Sequence, residues 1–245
     1  MKEALNDNMV RAWWYLSNNF GDSINEYLIR RLSGRVVTAS VDKSEPHFIV
    51  CGSILSEANK NSIVWGAGFS WEHHKQSDLY GCENVIAVRG DLSAERTGVD
   101  IKAIGDPALL LPTLYPCRHT IVNEIGIIPH WTNVETAIEK FPDYLVISPL
   151  LPYDIFIELV LCCQYVFSES LHGLIVADTY GVENSWIDLG ADVGDGFKYR
   201  DYYSSTVTPD AAKLDVVDIS GCMVHNYKYN LQTLLNSCPF GLNNK

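Results

Sequence analysis

One histidine lies where a strand-like run gives way to a helix-like run, in FSESLHGLIVADTYGVENSW at residues 167–186. The spacing predicts a helix that begins near His172. Ser168, Ser170 and Gly173 surround this histidine, and the free N–H groups of a helix N-terminus bind phosphate or another anion. An imidazole at that place can donate a hydrogen bond to the anion or exchange a proton. The alternative is a histidine that only hydrogen-bonds a backbone carbonyl.

Two aspartates also follow strand-like runs and are candidates for handling a substrate hydroxyl. Asp22 follows Gly21 in NNFGD, and Asp106 precedes Pro107 in IGDPALLLP. A carboxylate at such a place can accept or orient a hydroxyl proton. Each has a structural alternative, because aspartate is favoured both as a helix N-cap and before proline in turns. Both interpretations stay open for both residues.

Arg89 is the candidate for holding a negatively charged substrate. It ends the run NVIAVRG, so its side chain is expected to emerge at a sheet edge or in a cleft. A guanidinium binds a carboxylate or phosphate through two parallel hydrogen bonds. The alternative is an ion pair with Asp91 or Glu95. Asn19 and His130 also follow strand-like runs, and we expect them to face the same cleft.

The elements that must position these residues alternate between strand-like and helix-like runs. Six runs in the first half are rich in β-branched or aromatic residues: RAWWYL, RVVTA, HFIVCGS, SIVWGAG, NVIAVRG and IKAIGD. The segment NFGDSINEYLIRRLSG repeats apolar residues at helical spacing and ends at Gly34, a residue type favoured after a helix C-terminus. This alternation is typical of βαβ units and a parallel sheet.

The pattern breaks around LLLPTLYPCRHT, and a second series follows, with strands expected in NEIGIIPH, YLVIS, YVFSES and NSWIDLG. We predict an α/β fold of two Rossmann-like, doubly wound domains, residues 1–116 and 117–245. A last amphipathic helix from Met223 to Leu234 is expected to pack back across the first domain, and GFKYRDYY is expected to be a loop. Ligands in such folds bind at the carboxyl ends of the strands, which predicts a cleft between the domains.

Composition argues against several classes of protein. The 245 residues carry a net charge of −12 and no cluster of Lys and Arg, which disfavours a broad nucleic-acid surface. Seven cysteines without CxxC spacing are expected to be buried thiols of a reducing compartment. The chain shows neither a signal-peptide pattern nor an apolar run long enough to span a bilayer, so we expect a soluble, cytoplasmic protein.

Familiar motifs for metals and phosphate are missing. The sequence contains no GxSxG, Walker loop or HExxH. His73 and His74, in the polar stretch SWEHHKQSD, do not have the spacing of a metal site and are expected in a solvated loop. We therefore expect no metal.

In their order and spacing, the motifs resemble the polysaccharide pyruvyl transferase family over nearly the whole chain. The resemblance rests on NNFGDSINEYL, GSIL, WGAGF, VRGDLS, IGDPALLLP, GIIPHW, SESLHGLIVADTYGVENSW and GFKYRDYYSS. It implies two Rossmann-like domains arranged as in GT-B glycosyltransferases. It also implies transfer of a pyruvyl group from phosphoenolpyruvate, a substrate rather than a cofactor, to a sugar as a cyclic ketal. Acceptors in the family belong to capsule, exopolysaccharide or cell-wall precursors, often on a polyprenyl diphosphate lipid, which implies peripheral contact with the inner face of the plasma membrane.

The implied chemistry needs two anion-binding groups and an acid. By resemblance, His172 contacts the donor phosphate or acts as the acid, and Arg89 holds donor charge. The same resemblance makes Asp22 or Asp106 the acceptor of a hydroxyl proton.

One departure from the family matters. Many members have an arginine two residues before this histidine, where this chain has Ser170. Lys198 or Arg200, in GFKYRDYY, is the predicted replacement for that cation.

Two other functions fit the same residues. A GT-B-like glycosyltransferase would use the same helix-start phosphate site for a nucleotide sugar, and a catalytically silent member would bind sugar or act as a scaffold. For membrane contact, the candidate side chains are Trp13, Trp14 and Trp71, with core packing as the alternative.

Overall fold

A computed structural model of the protein describes residues 4–5, 8–191 and 194–242. Within these residues, ten strands form two sheets, and the strand pairs inside both sheets are parallel. Helices follow most of the strands along the chain. The predicted α/β class with parallel sheets is confirmed.

The first sheet has six strands in the order β2-β1-β3-β4-β5-β6. Their bounds are β1 Met9–Ala12, β2 Val36–Ala39, β3 His47–Ile49, β4 Ser62–Trp65, β5 Asn84–Val88 and β6 Ala103–Ile104. The central strands β3 and β4 are buried along their whole length, as expected for a parallel sheet covered on both faces. Each of the six strands predicted in this half has a counterpart, but β1 ends at Ala12, so most of the predicted run RAWWYL lies after the strand.

The second sheet repeats this order with four strands, β8-β7-β9-β10. Their bounds are β7 Asn123–Ile128, β8 Leu145–Val146, β9 Cys163–Ser168 and β10 Glu183–Trp186. In both sheets the first strand along the chain is an inner one, β1 or β7. The next strand pairs on one side of it, and the third pairs on its other side. The switch points, where ligands bind in such sheets, therefore lie between β1 and β3 and between β7 and β9.

Eight α-helices lie in the described residues: α1 Phe20–Ser33, α2 Asp91–Thr97, α3 Leu111–Leu114, α4 Val134–Lys140, α5 Tyr153–Leu161, α6 Leu171–Tyr180, α7 Phe197–Ser204 and α8 Leu231–Asn236. As predicted, α1 ends at Gly34, which has a left-handed φ of 68°. The first residue of α1, Phe20, contacts the part of the chain that follows the first sheet. Its ring stacks on Phe156 of α5, with ring centroids 4.4 Å apart.

Two predicted elements near the C-terminus are wrong. GFKYRDYY was expected to be a loop, but it forms most of α7 and is largely buried. The last helix was expected from Met223, but α8 begins at Leu231. The preceding residues instead form isolated bridges, Met223 with Asn184 and Tyr227 with Thr206, whose hydrogen bonds replace helical ones.

Segments late in the chain pack on the first sheet. Helix α7 contacts α2, and α8 contacts β6. Further on, the ring of Phe240 packs edge-on against Phe48 and Trp65. The core around the first sheet therefore includes residues from far beyond position 116.

The candidate membrane-facing tryptophans have different surroundings. Trp13 and Trp14 are buried, which is the core-packing alternative, whereas Trp71 is 38% exposed. Among the described residues, no helix is long and apolar enough to cross a membrane. Of the seven cysteines, all free, Cys51, Cys82 and Cys163 are buried and the other four are half-buried.

Candidate active site

A cavity of about 170 Å³ lies at the carboxyl ends of β1, β3, β7 and β9, where both switch points meet. Six residues proposed from the sequence line it: Asn19, Asp22, His130, Ser170, His172 and Lys198. The remaining lining residues are Tyr15, Gly21, Gly52, Ser53, Ile54, Trp131 and Leu171. The fold thus brings together residues that are up to 183 positions apart in the sequence.

The N-terminus of α6 forms one wall of the cavity. Ser170 is its N-cap, and the buried Ser168 hydroxyl accepts a hydrogen bond from the Ser170 N–H at 3.1 Å. The next two N–H groups, of Leu171 and His172, donate to no acceptor among the described residues. An added Cβ at Gly173 would overlap Ser168 Oγ, so this glycine permits close packing instead of facing a ligand. The first turn of α6 therefore offers free donors to an anion.

His172 is largely buried, with 7% of its surface exposed, and it separates the cavity from a polar cluster behind it. Its Nε2 lies 3.1 Å from Cys51 Sγ and 3.6 Å from Asp106 Oδ2. Its Nδ1 lies beside Gly21, where an added Cβ would overlap the ring. Glycine is therefore required at position 21, and Nδ1 is the ring nitrogen on the side of α1.

Asp106 lies behind His172 and does not line the cavity. Its Oδ1 accepts a hydrogen bond from Ala108 N–H at 2.9 Å and caps the 3-10 helix Pro107–Leu110. This is the structural role that an aspartate before a proline was expected to have. Burial acts to raise the pKa of this carboxyl, but His172 and the Ala108 N–H outweigh burial and lower it. Asp106 therefore serves as both a cap and a charged partner for the imidazole.

Asp22 lies in the first turn of α1 and does line the cavity. The N-cap of this helix is Asn19 rather than Asp22, and it makes no side-chain cap hydrogen bond. The Asp22 carboxylate accepts a hydrogen bond from Ser17 Oγ at 2.6 Å. Burial raises the pKa of Asp22, although Ser17 and His172 act in the opposite direction. The N-cap alternative for Asp22 is therefore wrong.

Lys198 supplies positive charge to the cavity, and Arg200 does not. Within the described part of the chain, Lys198 is the only lysine or arginine in the cavity lining, and its Nζ forms no hydrogen bond or ion pair. Burial and the nearby charge of Arg89 lower the pKa of Lys198 to about 8, although Glu169 acts to raise it. Arg200 instead pairs with Glu72 at 2.7 Å near the surface.

Arg89 forms an ion pair, as in the alternative interpretation, but its partner is not one of the two neighbouring acids. Its guanidinium is fully buried and binds Asp201 of α7 at 2.8 Å, rather than Asp91 or Glu95. It also donates to Ser53 Oγ at 2.7 Å, and Ser53 lines the cavity. Arg89 therefore lies behind the cavity lining, with its charge already paired.

His130 lies at the cavity rim and is held there by a buried carboxylate. Glu169 accepts hydrogen bonds from the N–H groups of His130, Leu189 and Ala191, each at 2.9 Å. Burial and Lys198 lower the pKa of His130, and Glu169 acts to raise it. Glu169 thus fixes two loops of the second sheet around the cavity.

Sequence reasoning missed four residues that shape the site: Cys51, Asn25, Glu169 and Asp201. The side-chain amide of Asn25 bonds both the N–H and the carbonyl of Cys51, at 2.9 and 3.1 Å. Only Glu169 gave a usable signal, as an acid between two serines at the end of a strand. The contacts by which the other three shape the site, Asn25 with Cys51, Cys51 with His172 and Asp201 with Arg89, join residues 26 or more positions apart.

Comparisons with known proteins give two matches and one negative result. The family described as polysaccharide pyruvyl transferase matches residues 19–189. An uncharacterized protein of Acanthamoeba polyphaga mimivirus, L143, is 28% identical over 204 residues, covering 76% of this chain and 70% of the viral protein. No solved structure matches.

The family match covers most of the chain, from Asn19 before α1 to the residues after β10. It also contains Asp22 and His172, which line the cavity, and Asp106, which lies behind His172. The chain belongs to the polysaccharide pyruvyl transferase family.

Proposed function

We propose that this chain transfers the pyruvyl group of phosphoenolpyruvate to a sugar of a polysaccharide precursor, as a cyclic ketal, and releases phosphate. The family supplies the general activity. The donor, the acceptor and the residue roles are the proposal. We also propose that residues 1–116 and 117–245 are Rossmann-like domains in a GT-B arrangement, which the matching strand orders of the two sheets support.

The observation that carries the proposal is the content of the cavity at the two switch points. One small space holds a histidine backed by a carboxylate, an unpaired lysine, the free N–H groups of α6 and a second carboxylate on α1. A small doubly anionic donor and a hydroxyl nucleophile require this combination of an acid, a base and anion-binding groups.

The donor binds at the α6 side of the cavity. Its phosphate accepts hydrogen bonds from the N–H groups of Leu171 and His172, where the helix dipole favours negative charge. Lys198 supplies the cation that the missing family arginine would otherwise provide. Arg89 is a positioning residue, since it reaches the cavity only through Ser53.

His172 is the acid that starts the reaction. Its Nε2 faces Asp106 and Cys51, so the proton for the donor comes from Nδ1. Protonation of the donor methylene carbon breaks the enol double bond and makes C2 electrophilic. A sugar hydroxyl adds to C2, and a second hydroxyl of the same sugar then replaces phosphate. Two O–H protons leave the acceptor: one offsets the proton that His172 gives to the methylene carbon, and the other leaves on the phosphate. The bond between C2 and the phosphate ester oxygen breaks, so phosphate leaves as hydrogen phosphate.

Asp22 is the base for the acceptor hydroxyl. It lines the cavity on the α1 side, whereas Asp106 is buried and already engaged with Ala108 and His172. Asp106 is therefore a positioning residue for the imidazole.

The test is incubation with phosphoenolpyruvate and acceptors that contain galactose, mannose or N-acetylmannosamine, free and as lipid-linked forms. Mass spectrometry of the acceptor is expected to show one added pyruvate less water, with equimolar phosphate release. His172→Ala should lower the rate at which both signals appear by about 10²- to 10⁴-fold. Phosphate release without acceptor modification, or no reaction with any acceptor class, would count against the proposal.

A thermal-shift comparison separates the competing functions. A ligand that binds only the folded state stabilises it in proportion to RT ln(1 + [L]/Kd). Phosphoenolpyruvate is expected to raise the melting temperature, and uridine or guanosine diphosphate sugars are not. The reverse would indicate a nucleotide-sugar glycosyltransferase, and stabilisation by a free sugar alone would indicate a silent sugar-binding protein.

A further inference from the structure

The polar cluster behind His172 contains three side chains of different chemistry that converge on one point. Cys51 follows β3, Asp106 follows β6, and His172 lies in the first turn of α6. Their ligand atoms all lie within 4.8 Å of one another, and all three residues are buried. We propose that Cys51, Asp106 and His172 bind a divalent transition-metal ion of the zinc class.

The distances among Cys51 Sγ, His172 Nε2 and the two carboxylate oxygens of Asp106 are close to the ligand separations around a tetrahedral ion. Cys51 Sγ lies 3.1 Å from His172 Nε2 and 3.3 Å from Asp106 Oδ1, and Nε2 lies 3.6 Å from Asp106 Oδ2. Metal–ligand lengths of about 2.3 Å for sulfur and about 2.0–2.2 Å for nitrogen and oxygen give tetrahedral ligand separations of roughly 3.3–3.6 Å. The imidazole needs to move by only a few tenths of an ångström, or roughly 10% of those separations.

Charge balance also favours a cation at this point. Asp106 is fully buried, and its Oδ2 has no hydrogen-bond partner in the described part of the chain. A buried carboxylate without full compensation is costly. A thiolate and a carboxylate together carry two negative charges, which one divalent ion neutralises. Binding releases the thiol proton of Cys51 to solvent.

The ligands are held rigidly, as metal sites require. Asn25 bonds both backbone polar groups of Cys51, and the Ala108 N–H fixes Asp106 Oδ1. A thiolate with an imidazole selects zinc or cobalt over magnesium or calcium. Three protein ligands leave a fourth coordination position free, as in catalytic zinc sites.

This site shares His172 and Asp106 with the proposed pyruvyl transfer, but it uses the other ring nitrogen of His172. The ion takes Nε2 of His172 and leaves Nδ1, the nitrogen assigned to the donor. Sequence motifs did not indicate the site because its ligands come from three segments 55 and 66 residues apart.

The test is titration of the metal-free, reduced protein with Co²⁺ alone, without phosphoenolpyruvate or acceptor. One equivalent is expected to give a thiolate-to-cobalt charge-transfer band that Zn²⁺ abolishes. Cys51→Ser and Asp106→Asn should weaken Co²⁺ binding by roughly 100-fold or more. Cys82→Ser, at a buried cysteine outside the cluster, is the matched control and should retain the band.

A second measurement needs no variant. X-ray absorption of the Zn²⁺-loaded natural chain should show one sulfur at about 2.3 Å with nitrogen and oxygen ligands at about 2.0–2.2 Å. No charge-transfer band at one equivalent, a band that survives Cys51→Ser, or a zinc shell without sulfur would overturn the proposal. None of these outcomes changes the result expected from the assay of pyruvyl transfer, so the two proposals can fail separately.

Discussion

Helices α1 and α6 begin at the two switch points and border the same cavity, yet their first turns carry opposite chemistry. The first turn of α1 contains Asp22, and its Phe20 N–H is already bonded to Pro149 at 2.7 Å. The first turn of α6 contains no acidic residue, and the N–H groups of Leu171 and His172 have no acceptor among the described residues.

This difference supports the proposal that the two substrates bind at different helices. The negative charge of Asp22 offsets the positive end of the α1 dipole and repels a phosphate. The N-terminus of α6 has no such charge, so its dipole and its free N–H groups can bind a phosphate. A carboxylate suits a neutral hydroxyl that must lose a proton. We therefore place the donor at α6 and the acceptor at α1, and the following changes test that division.

The largest effect is expected from His172→Ala, which removes the acid of the α6 side. Loss of a general acid lowers kcat by about 10²- to 10⁴-fold. Phosphate release in the presence of acceptor measures this effect. His73→Ala, at an exposed histidine outside the cavity lining, is the control and should behave as the natural chain does. Full activity of His172→Ala would end its assignment as the acid.

Asp22→Asn should lower kcat by about 10²-fold, because the amide cannot accept the hydroxyl proton. The KM for phosphoenolpyruvate should stay the same or fall, since a negative charge leaves the cavity. Steady-state kinetics in both substrates separates the two parameters. A raised KM for phosphoenolpyruvate with an unchanged kcat would place the donor, rather than the acceptor, at α1.

Lys198→Ala should raise the KM for phosphoenolpyruvate by about 10- to 100-fold, the range for losing a hydrogen bond between charged groups. Lys198→Arg keeps the charge and should restore most of the affinity. Arg200→Ala is the matched control, because Arg200 lies on the same helix but pairs with Glu72 near the surface. An equal effect of both alanine variants would contradict a specific role for Lys198.

A smaller, several-fold effect is expected from pH. Because the pKa of Lys198 is lowered to about 8, its ammonium is present below that pH and is lost above it. The KM for phosphoenolpyruvate should therefore rise between about pH 7 and 9. Arg89 and Glu169 act on the pKa of this lysine in opposite directions, and His130 lines the same cavity. The Lys198→Arg variant should lose this pH dependence, and a rise that persists in it would assign the titration to another group.

The sequence predicted the strands and the position of His172 well because both depend on local patterns. Apolar runs of strand length that end in glycine or a polar turn mark the parallel strands, and the helix after β9 follows directly from its apolar residues. The predicted cleft at the strand ends follows from the same alternation. These features need only a few neighbouring residues.

Features that depend on distant partners were not predicted. Arg89 is paired with Asp201, 112 positions later, and no local pattern indicates that pair. Helix α7 has aromatic residues on several sides because it is buried between the halves, so it lacks the single apolar face that predicts a helix. Tyr227 has helical spacing in the sequence, but its hydroxyl donates to the Ile104 carbonyl and its backbone bridges Thr206.

The most direct test is a crystal structure of the protein with phosphoenolpyruvate bound. We expect the phosphate at the first turn of α6, within hydrogen-bond distance of the Leu171 and His172 N–H groups and of Lys198 Nζ. A phosphate at the first turn of α1 beside Asp22, or outside this cavity, would contradict it.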